Sequence, residues 1–205
     1  MKATIRSVAS LPDVQVEPAW ELALLFPAQG AWSEDDYLAF DTNQLVELSN
    51  GQIEVLPMPS DQHQAIVGYL YTLLLTFARS MGGVARLAPL RMRLWPGKFR
   101  EPDLLLLINA DDPRRQAEFW SGADLVVEVV SADNPARDTK KKRYEYAQAG
   151  IPEYWIVNPG TETVTVLTLS ETQYVEHGSF RRGEIATSAN FPSLQADVAS
   201  VLDAP

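Results

Sequence analysis

The chain has 205 residues, of which 46% are hydrophobic, and this suits one domain with a substantial core. It contains no cysteine, which excludes disulfide bonds, thiolate metal sites and cysteine nucleophiles and fits a reducing compartment. The formal net charge of -10 argues against a protein that coats nucleic acid through a general basic surface. Basic residues still cluster, as between Arg137 and Arg143, so a local basic rim remains an alternative to the simpler interpretation of a solvated face.

No segment predicts targeting or membrane insertion. Residues 1–11 lack the continuous apolar stretch of a signal peptide, and no apolar run approaches the roughly 20 residues that cross a bilayer. We therefore expect no membrane partner and a cytoplasmic location. Residues 1–33 are aperiodic and punctuated by proline, which predicts an arm packed on a single domain formed by residues 34–205.

The first predicted elements are a short helix and a β-hairpin. Ser33 precedes three acidic residues and is an N-cap signal for a helix that ends near Phe40. Asn50-Gly51 is the strongest sequence signal for a two-residue hairpin turn between strands at 45–49 and 52–57. The resulting register places Glu47 opposite Glu54. Like charges that face each other are unfavourable, so either solvent or a cation must separate the two carboxylates. Solvent is the simpler explanation.

The middle of the chain predicts one long helix followed by three strands. Helical periodicity runs over residues 61–81 and stops at Gly82-Gly83. Residues 84–95 alternate in their second half and predict a strand. Residues 100–108 and 124–130 are apolar runs typical of strands buried on both faces, and a polar loop joins them.

The last part of the chain predicts further alternation of helix and strand. The expected elements are a helix that opens at residues 131–138 and ends at Gly150, a strand at 154–157, a hairpin of 164–169 and 173–175, and a closing helix or loop at 193–202. This order predicts an α/β (α+β) protein in which helices flank a mixed β-sheet.

Each of the two apolar strands contains one carboxylate, Asp103 in the first and Glu128 in the second. A buried charge is costly unless it is paired, neutralised or bound to a metal, so the two carboxylates predict a cation site. On the following helix, Lys142 shares a semi-apolar stripe with Tyr146 and Ala149, which predicts that this lysine points toward the sheet.

Two carboxylates beside an ammonium suit metal-assisted phosphodiester hydrolysis. Mg²⁺ binds one or two protein carboxylates, keeps several waters and lowers the pKa of one of them. Lys142 then orients that water or offsets the charge that builds on the phosphate. If the hairpin faces the same cleft, Glu47 becomes a third acidic group for the metal. His63 has two interpretations, a phosphate contact or a helix-terminal hydrogen bond, and the second is the more common.

The residues at these positions also resemble a known family. The resemblance rests on Glu47-Leu48, Asn50-Gly51, His63-Gln64, Pro102-Asp103, Val127-Glu128-Val129-Val130-Ser131, Arg137-Asp138, Lys142, Tyr146 and Ala149-Gly150-Ile151-Pro152-Glu153-Tyr154-Trp155. This pattern is similar to the Uma-type restriction endonuclease branch of the PD-(D/E)XK nuclease superfamily, over about residues 35–160. The resemblance implies a restriction-endonuclease-like core, with Asp103 and Glu128 as the acidic pair and Lys142 as the lysine.

The pattern departs from the family in three places. The superfamily's usual lysine lies two residues after the acid, where this chain has Val130, so the resemblance implies that the lysine has moved to the helix. Asn158 stands where the branch often has aspartate, and Ala132 where it often has proline. Neither of these two belongs to the predicted metal site.

The sequence therefore predicts an Mg²⁺-dependent endonuclease that hydrolyses DNA, with Mn²⁺ as an alternative metal. Asp103, Glu128 and Lys142 are the predicted catalytic residues, and Asp103, Glu128 and Glu47 the predicted metal ligands. A homodimer is expected, because two copies are an economical way to cut two strands. The alternative is a catalytically inactive binding or regulatory module that keeps the nuclease fold, which the acidic composition favours.

Overall fold

Two large β-sheets and one long helix are the main elements of the part of the chain described by the computed structural model, residues 26–205. The helices are α1 (Glu34–Ala39), α2 (Asp61–Met81), α3, which joins a π-helical turn (Arg137–Lys142) to an α-helical segment (Arg143–Gln148), and α4 (Val198–Leu202). The strands are β1 (Val46–Ser49), β2 (Gln52–Val55), β3 (Val84–Leu87), β4 (Arg91–Trp95), β5 (Lys98–Arg100), β6 (Leu104–Leu107), β7 (Phe119–Trp120), β8 (Leu125–Val129), β9 (Glu153–Asn158), β10 (Thr163–Ser170), β11 (Gln173–Arg181), β12 (Ile185–Thr187) and β13 (Gln195–Asp197).

The strands form mixed sheets, as the sequence predicts. The larger sheet has the order β11-β10-β9-β8-β6-β3, in which only β8 and β9 pair in parallel. The smaller sheet has the order β2-β1-β5-β4-β7, and β12 pairs with β13. The mixed α+β fold is thereby confirmed. No helix within residues 26–205 is long and apolar enough to cross a membrane.

The core lies on both faces of the larger sheet. In β6, Leu104 and Leu106 pack in the cluster that includes α2, whereas Leu105 and Leu107 pack on the opposite face with Tyr146 of α3. All four leucines are fully buried. Burying each of them contributes about 1.5–3 kcal/mol, and this double burial explains why β6 has no polar alternation.

The first helix, the hairpin and the long helix have their predicted positions. Ser33 and Asp36 form a capping box at the start of α1. The hairpin pairs Glu47 with Glu54. Helix α2 ends at Gly82, whose positive φ of 75° suits glycine at a helix C-terminus. Of the predicted arm, residues 1–25 lie outside the described residues.

Two predicted strands are each divided between the two sheets. Residues 84–95 form β3 in the larger sheet and β4 in the smaller. Of the predicted strand 100–108, Arg100 ends β5 in the smaller sheet and residues 104–107 form β6 in the larger. Each break contains a proline, Pro89 or Pro102, which has no N–H to donate to a ladder. Asp103 therefore lies immediately before β6, not inside a strand. The predicted loop 109–122 also contains the short strand β7.

Candidate active site

Asp103 and Glu128 meet at one edge of the larger sheet. Strands β6 and β8 are antiparallel neighbours with Leu104 opposite Val127, so the start of β6 lies beside the end of β8. The Oδ2 atom of Asp103 accepts a hydrogen bond of 2.7 Å from the backbone N–H of Val129. Both carboxylates line a cavity of about 100 Å³.

Lys142 is buried in the same cavity wall, with its side chain directed toward the carboxylates. Its Nζ atom lies 2.8 Å from Oε1 of Glu128, 3.3 Å from Oδ1 of Asp138 and 3.8 Å from Oε1 of Glu47. The inward direction agrees with the helical stripe of the sequence. Lys142 is the last residue of the π-helical turn, a local distortion often found at functional sites.

The electrostatics of this cluster favour a protonated lysine beside carboxylates that resist ionisation. Burial raises the pKa of Glu128, the charges of Asp103 and Asp138 raise it further, and Lys142 opposes both. Burial alone lowers the pKa of Lys142, but the charges of Glu128, Glu47 and Asp138 outweigh it and raise the pKa above its ordinary value. In the metal-free site these carboxylates thus hold Lys142 in its protonated form.

Glu47 is fully buried and is held by cations of the protein. Its Oε2 atom lies 2.5 Å from Nη1 of Arg100. Its hairpin partner Glu54 is bonded by Arg137 and, at 3.3 Å, by Lys141. The like-charge pair of the hairpin is therefore neutralised by side chains and not mainly by solvent. The role of Glu47 as a metal ligand stays a prediction.

A buried ion network connects this site to the smaller sheet, and the sequence did not reveal it. Arg100 donates two hydrogen bonds to Glu145, of 2.7 and 2.8 Å, and Lys98 lies 2.7 Å from the same carboxylate. Glu145 is buried, although it does not belong to the helical stripe of Lys142, Tyr146 and Ala149. Helical periodicity alone did not show that β5 would lie against α3.

Three further residues of the site were missed or misjudged. Asp138 precedes Lys142 by four residues and Tyr146 follows it by four, a spacing that could have identified both. The Tyr146 hydroxyl donates a 2.5 Å hydrogen bond to Oε1 of Glu128. The imidazole of His63 does not bond the helix terminus; its Nε2 atom lies 3.2 Å from Oδ2 of Asp103.

His63 adds a titratable group to the cavity. Burial lowers its pKa, but the hydrogen bond and charge of Asp103, together with the charge of Glu128, produce a net rise. The two carboxylates therefore favour the protonated form of the imidazole. Its position depends on α2, since Ser60 caps the helix and accepts a hydrogen bond from the His63 backbone N–H.

The carboxylates of Asp103 and Glu128 are of the kind that binds a divalent cation, but the described side chains do not already form a complete ligand set. No lysine or arginine of residues 26–205 lies within salt-bridge distance of Asp103, whose carboxylate contacts the His63 ring and the Val129 N–H instead. Within the same residues, no three His, Asp or Glu side chains are already grouped closely enough to hold an ion. A set of three protein ligands would therefore need side chains of the site to move closer together.

Comparison with known proteins gives one family and one related fold. A family model named Uma2, described as "Putative restriction endonuclease", matches residues 33–199. A crystal structure titled as a "putative nuclease belonging to DUF820", from Anabaena variabilis ATCC 29413, is similar in fold, with a TM-score of 0.69 and 23% identity. The match covers 83% of this chain and 99% of that chain. No protein with curated annotation matches. The chain belongs to the Uma2 family.

Proposed function

We propose that the protein is a divalent-metal-dependent endonuclease that hydrolyses DNA phosphodiester bonds in the cavity between β6, β8 and α3. The observation that carries the proposal is the meeting of Asp103, Glu128 and Lys142 in one cavity wall. These groups come from three separate elements, and the family to which the chain belongs is described as a restriction endonuclease. The cavity of about 100 Å³ is large enough for an ion with a few waters or for a phosphate group.

Asp103 and Glu128 are the residues that would hold the ion, which we expect to be Mg²⁺ or Mn²⁺. Such an ion supplies a bound water of lowered pKa and polarises the phosphate. Asp103 is oriented by the Val129 N–H, and Glu128 by Lys142 and Tyr146. This proposal does not require Glu47 as a third ligand, because its carboxylate already forms an ion pair with Arg100.

Lys142 acts in this proposal as a fixed positive charge. Since surrounding carboxylates raise its pKa, it is held in the protonated form in the metal-free site. Its ammonium can stabilise the negative charge that develops on the phosphate oxygens. Asp138 and Glu47 hold it in place on either side of Glu128.

The carboxylates of the cavity also assign a role to the cation. Asp103, Glu128 and Asp138 line the cavity together with the cations Lys142 and Arg137, and a divalent ion would offset the repulsion between these carboxylates and a phosphate diester. The proposed dependence on metal agrees with this arrangement. The expected homodimer remains a prediction.

The proposal is tested by nicking of supercoiled plasmid with Mg²⁺ or Mn²⁺. Asp103→Ala, Glu128→Ala and Lys142→Ala should each abolish or strongly reduce cleavage, with a loss on the order of 10²–10³-fold for the lysine. Asp203→Ala is the matched control, because Asp203 is exposed and its carboxylate pairs only with Arg182 among the described residues. Circular dichroism verifies that each variant is folded.

Two results would contradict the proposal in different ways. Cleavage that persists undiminished in all three variants would refute the site. A wild-type protein that neither cleaves DNA nor binds Mg²⁺ or Mn²⁺ in a calorimetric titration would refute the function and favour the non-catalytic module.

A further inference from the structure

His63 occupies an unusual position for a histidine with a purely structural role. Its Nε2 atom lies 3.2 Å from Oδ2 of Asp103, and its ring lines the cavity shared with Glu128. Its other ring nitrogen, Nδ1, is buried and has no hydrogen-bond partner among residues 26–205. The ring is thus held through Nε2, by the carboxylate of Asp103, which is also a proposed ligand of the metal.

Contacts within residues 26–205 do not satisfy this imidazole in either neutral tautomer. A neutral ring that donates from Nε2–H to Asp103 leaves the Nδ1 lone pair without a donor. The other neutral tautomer carries its proton on Nδ1 and leaves the Nε2 lone pair free, as binding of an ion through Nε2 requires. Binding an ion through Nε2 does not change the surroundings of Nδ1, so what supports a ligand role is the place of Nε2 beside Asp103 in the cavity.

We propose that His63 is a nitrogen ligand of the divalent ion, binding through Nε2 beside the Asp103 carboxylate. This inference rests on the endonuclease proposal, and it makes His63 part of the metal site itself. Two ligands at about 2.1 Å from an ion and at right angles to each other are about 3 Å apart. The observed separation of 3.2 Å between Nε2 and Oδ2 is close to that value, so both atoms can reach one ion with little movement.

The local structure holds the imidazole in this place. His63 lies in the first turn of the 21-residue helix α2, and its backbone N–H is bonded by the Ser60 cap at 3.2 Å. The next turn of α2 is anchored in the core by Ile66 and Val67, which are buried. A ligand on a rigid and packed helix keeps its position without the ion, as a prepared metal site requires.

A nitrogen ligand changes which metal the site prefers. Mg²⁺ favours sites made of oxygen ligands and water, whereas imidazole suits transition metals, and Mn²⁺ accepts both. A site of one imidazole and two carboxylates should therefore bind Mn²⁺ more tightly than Mg²⁺. Removal of the nitrogen should reduce Mn²⁺ affinity more than Mg²⁺ affinity, so that the preference becomes smaller.

The test uses the full chain with the metal alone, without DNA. Calorimetric titrations with MnCl₂ and MgCl₂ compare the wild type with His63→Asn, in which an amide replaces the imidazole. His177→Asn is the matched control, because His177 is the other histidine of the chain and lies exposed against Thr187. We expect a loss of Mn²⁺ affinity of at least about tenfold in His63→Asn and no change in His177→Asn.

Pulsed electron paramagnetic resonance of the Mn²⁺-loaded protein gives a second readout that does not depend on a variant. We expect the wild type and His177→Asn to show the coupling of a directly bound ¹⁴N nucleus, and His63→Asn to lose it. Bound Mn²⁺ without ¹⁴N coupling in the wild type would overturn the inference, while Mg²⁺-dependent cleavage would still uphold the endonuclease. If the wild type binds neither ion, both proposals are overturned.

Discussion

Replacement of Arg100 by methionine is the most direct test of the buried ion network. The guanidinium is 1% exposed and makes two hydrogen bonds to Glu145 and one to Glu47. Arg100→Met fills a similar volume but leaves these two buried carboxylates without their shared cation. Breaking a buried ion pair from one side typically costs about 3–5 kcal/mol, because the remaining charge stays buried.

The remaining cations place the expected loss at the lower end of that range. Lys98 still lies 2.7 Å from Glu145, and Lys142 still lies 3.8 Å from Glu47. We therefore expect Arg100→Met to lower the free energy of unfolding by about 3 kcal/mol. For a domain of this size the melting temperature should fall by roughly 6–12 °C.

Urea and thermal unfolding, followed by circular dichroism, measure this loss. Arg182→Met is the matched control, because Arg182 bonds Glu162 and Asp203 at the surface and such pairs contribute less than about 1 kcal/mol. The double variant Arg100→Met/Glu47→Gln should be more stable than the sum of its single variants predicts, since the neutral amide leaves no stranded charge at position 47. An Arg100→Met protein no less stable than Arg182→Met would refute the view that this network stabilises the fold.

Two further predictions concern single side chains near the cavity. Burial raises the pKa of the Glu101 carboxyl to about 7, so the contribution of Glu101 to stability is full at acidic pH and is lost as the pH rises through 7. The free energy of unfolding should therefore decline on the order of 3 kcal/mol between about pH 4.5 and 7.5, and Glu101→Gln should remove this decline. Identical pH profiles of the wild type and the variant in urea unfolding would contradict this prediction. Tyr146→Phe removes the hydrogen bond to Glu128, so it should lower the free energy of unfolding by about 1–3 kcal/mol and reduce plasmid cleavage. Tyr174→Phe loses a buried hydrogen bond to the Ile151 carbonyl, so it should lower stability by a similar amount but leave cleavage intact. Equal cleavage by both variants would be evidence against a role for Tyr146.

Much of the fold follows from local signals in the sequence. The N-cap at Ser33, the Asn50-Gly51 turn and the glycine that ends α2 are short-range features, and the structure has each of them where predicted. The strands that contain Pro89 and Pro102 were predicted as single elements, because apolar runs do not show to which sheet each half belongs. That choice depends on partners that are distant in the chain.

The candidate site divides in the same way. Periodicity along one helix predicted that Lys142 points inward, and the burial cost of a charge predicted that Asp103 and Glu128 need a cation. The contact of His63 with Asp103 joins residues forty positions apart, and that of Arg100 with Glu145 joins residues forty-five apart. No pattern within a single element predicts such pairs.

The sequence by itself determined the acidic pair, the inward lysine and the hairpin register, because each follows from a local feature: the charges within two apolar runs, the repeat of one helix and the Asn50-Gly51 turn. Only the tertiary structure decided what surrounds them: Arg100 and Lys142 neutralise Glu47, Asp138 joins the cluster, and His63 lies against Asp103. The reason is physical. Periodicity determines the direction in which a side chain points, whereas the packing of separate elements determines what it meets there, and the chemistry of the site depends on those contacts.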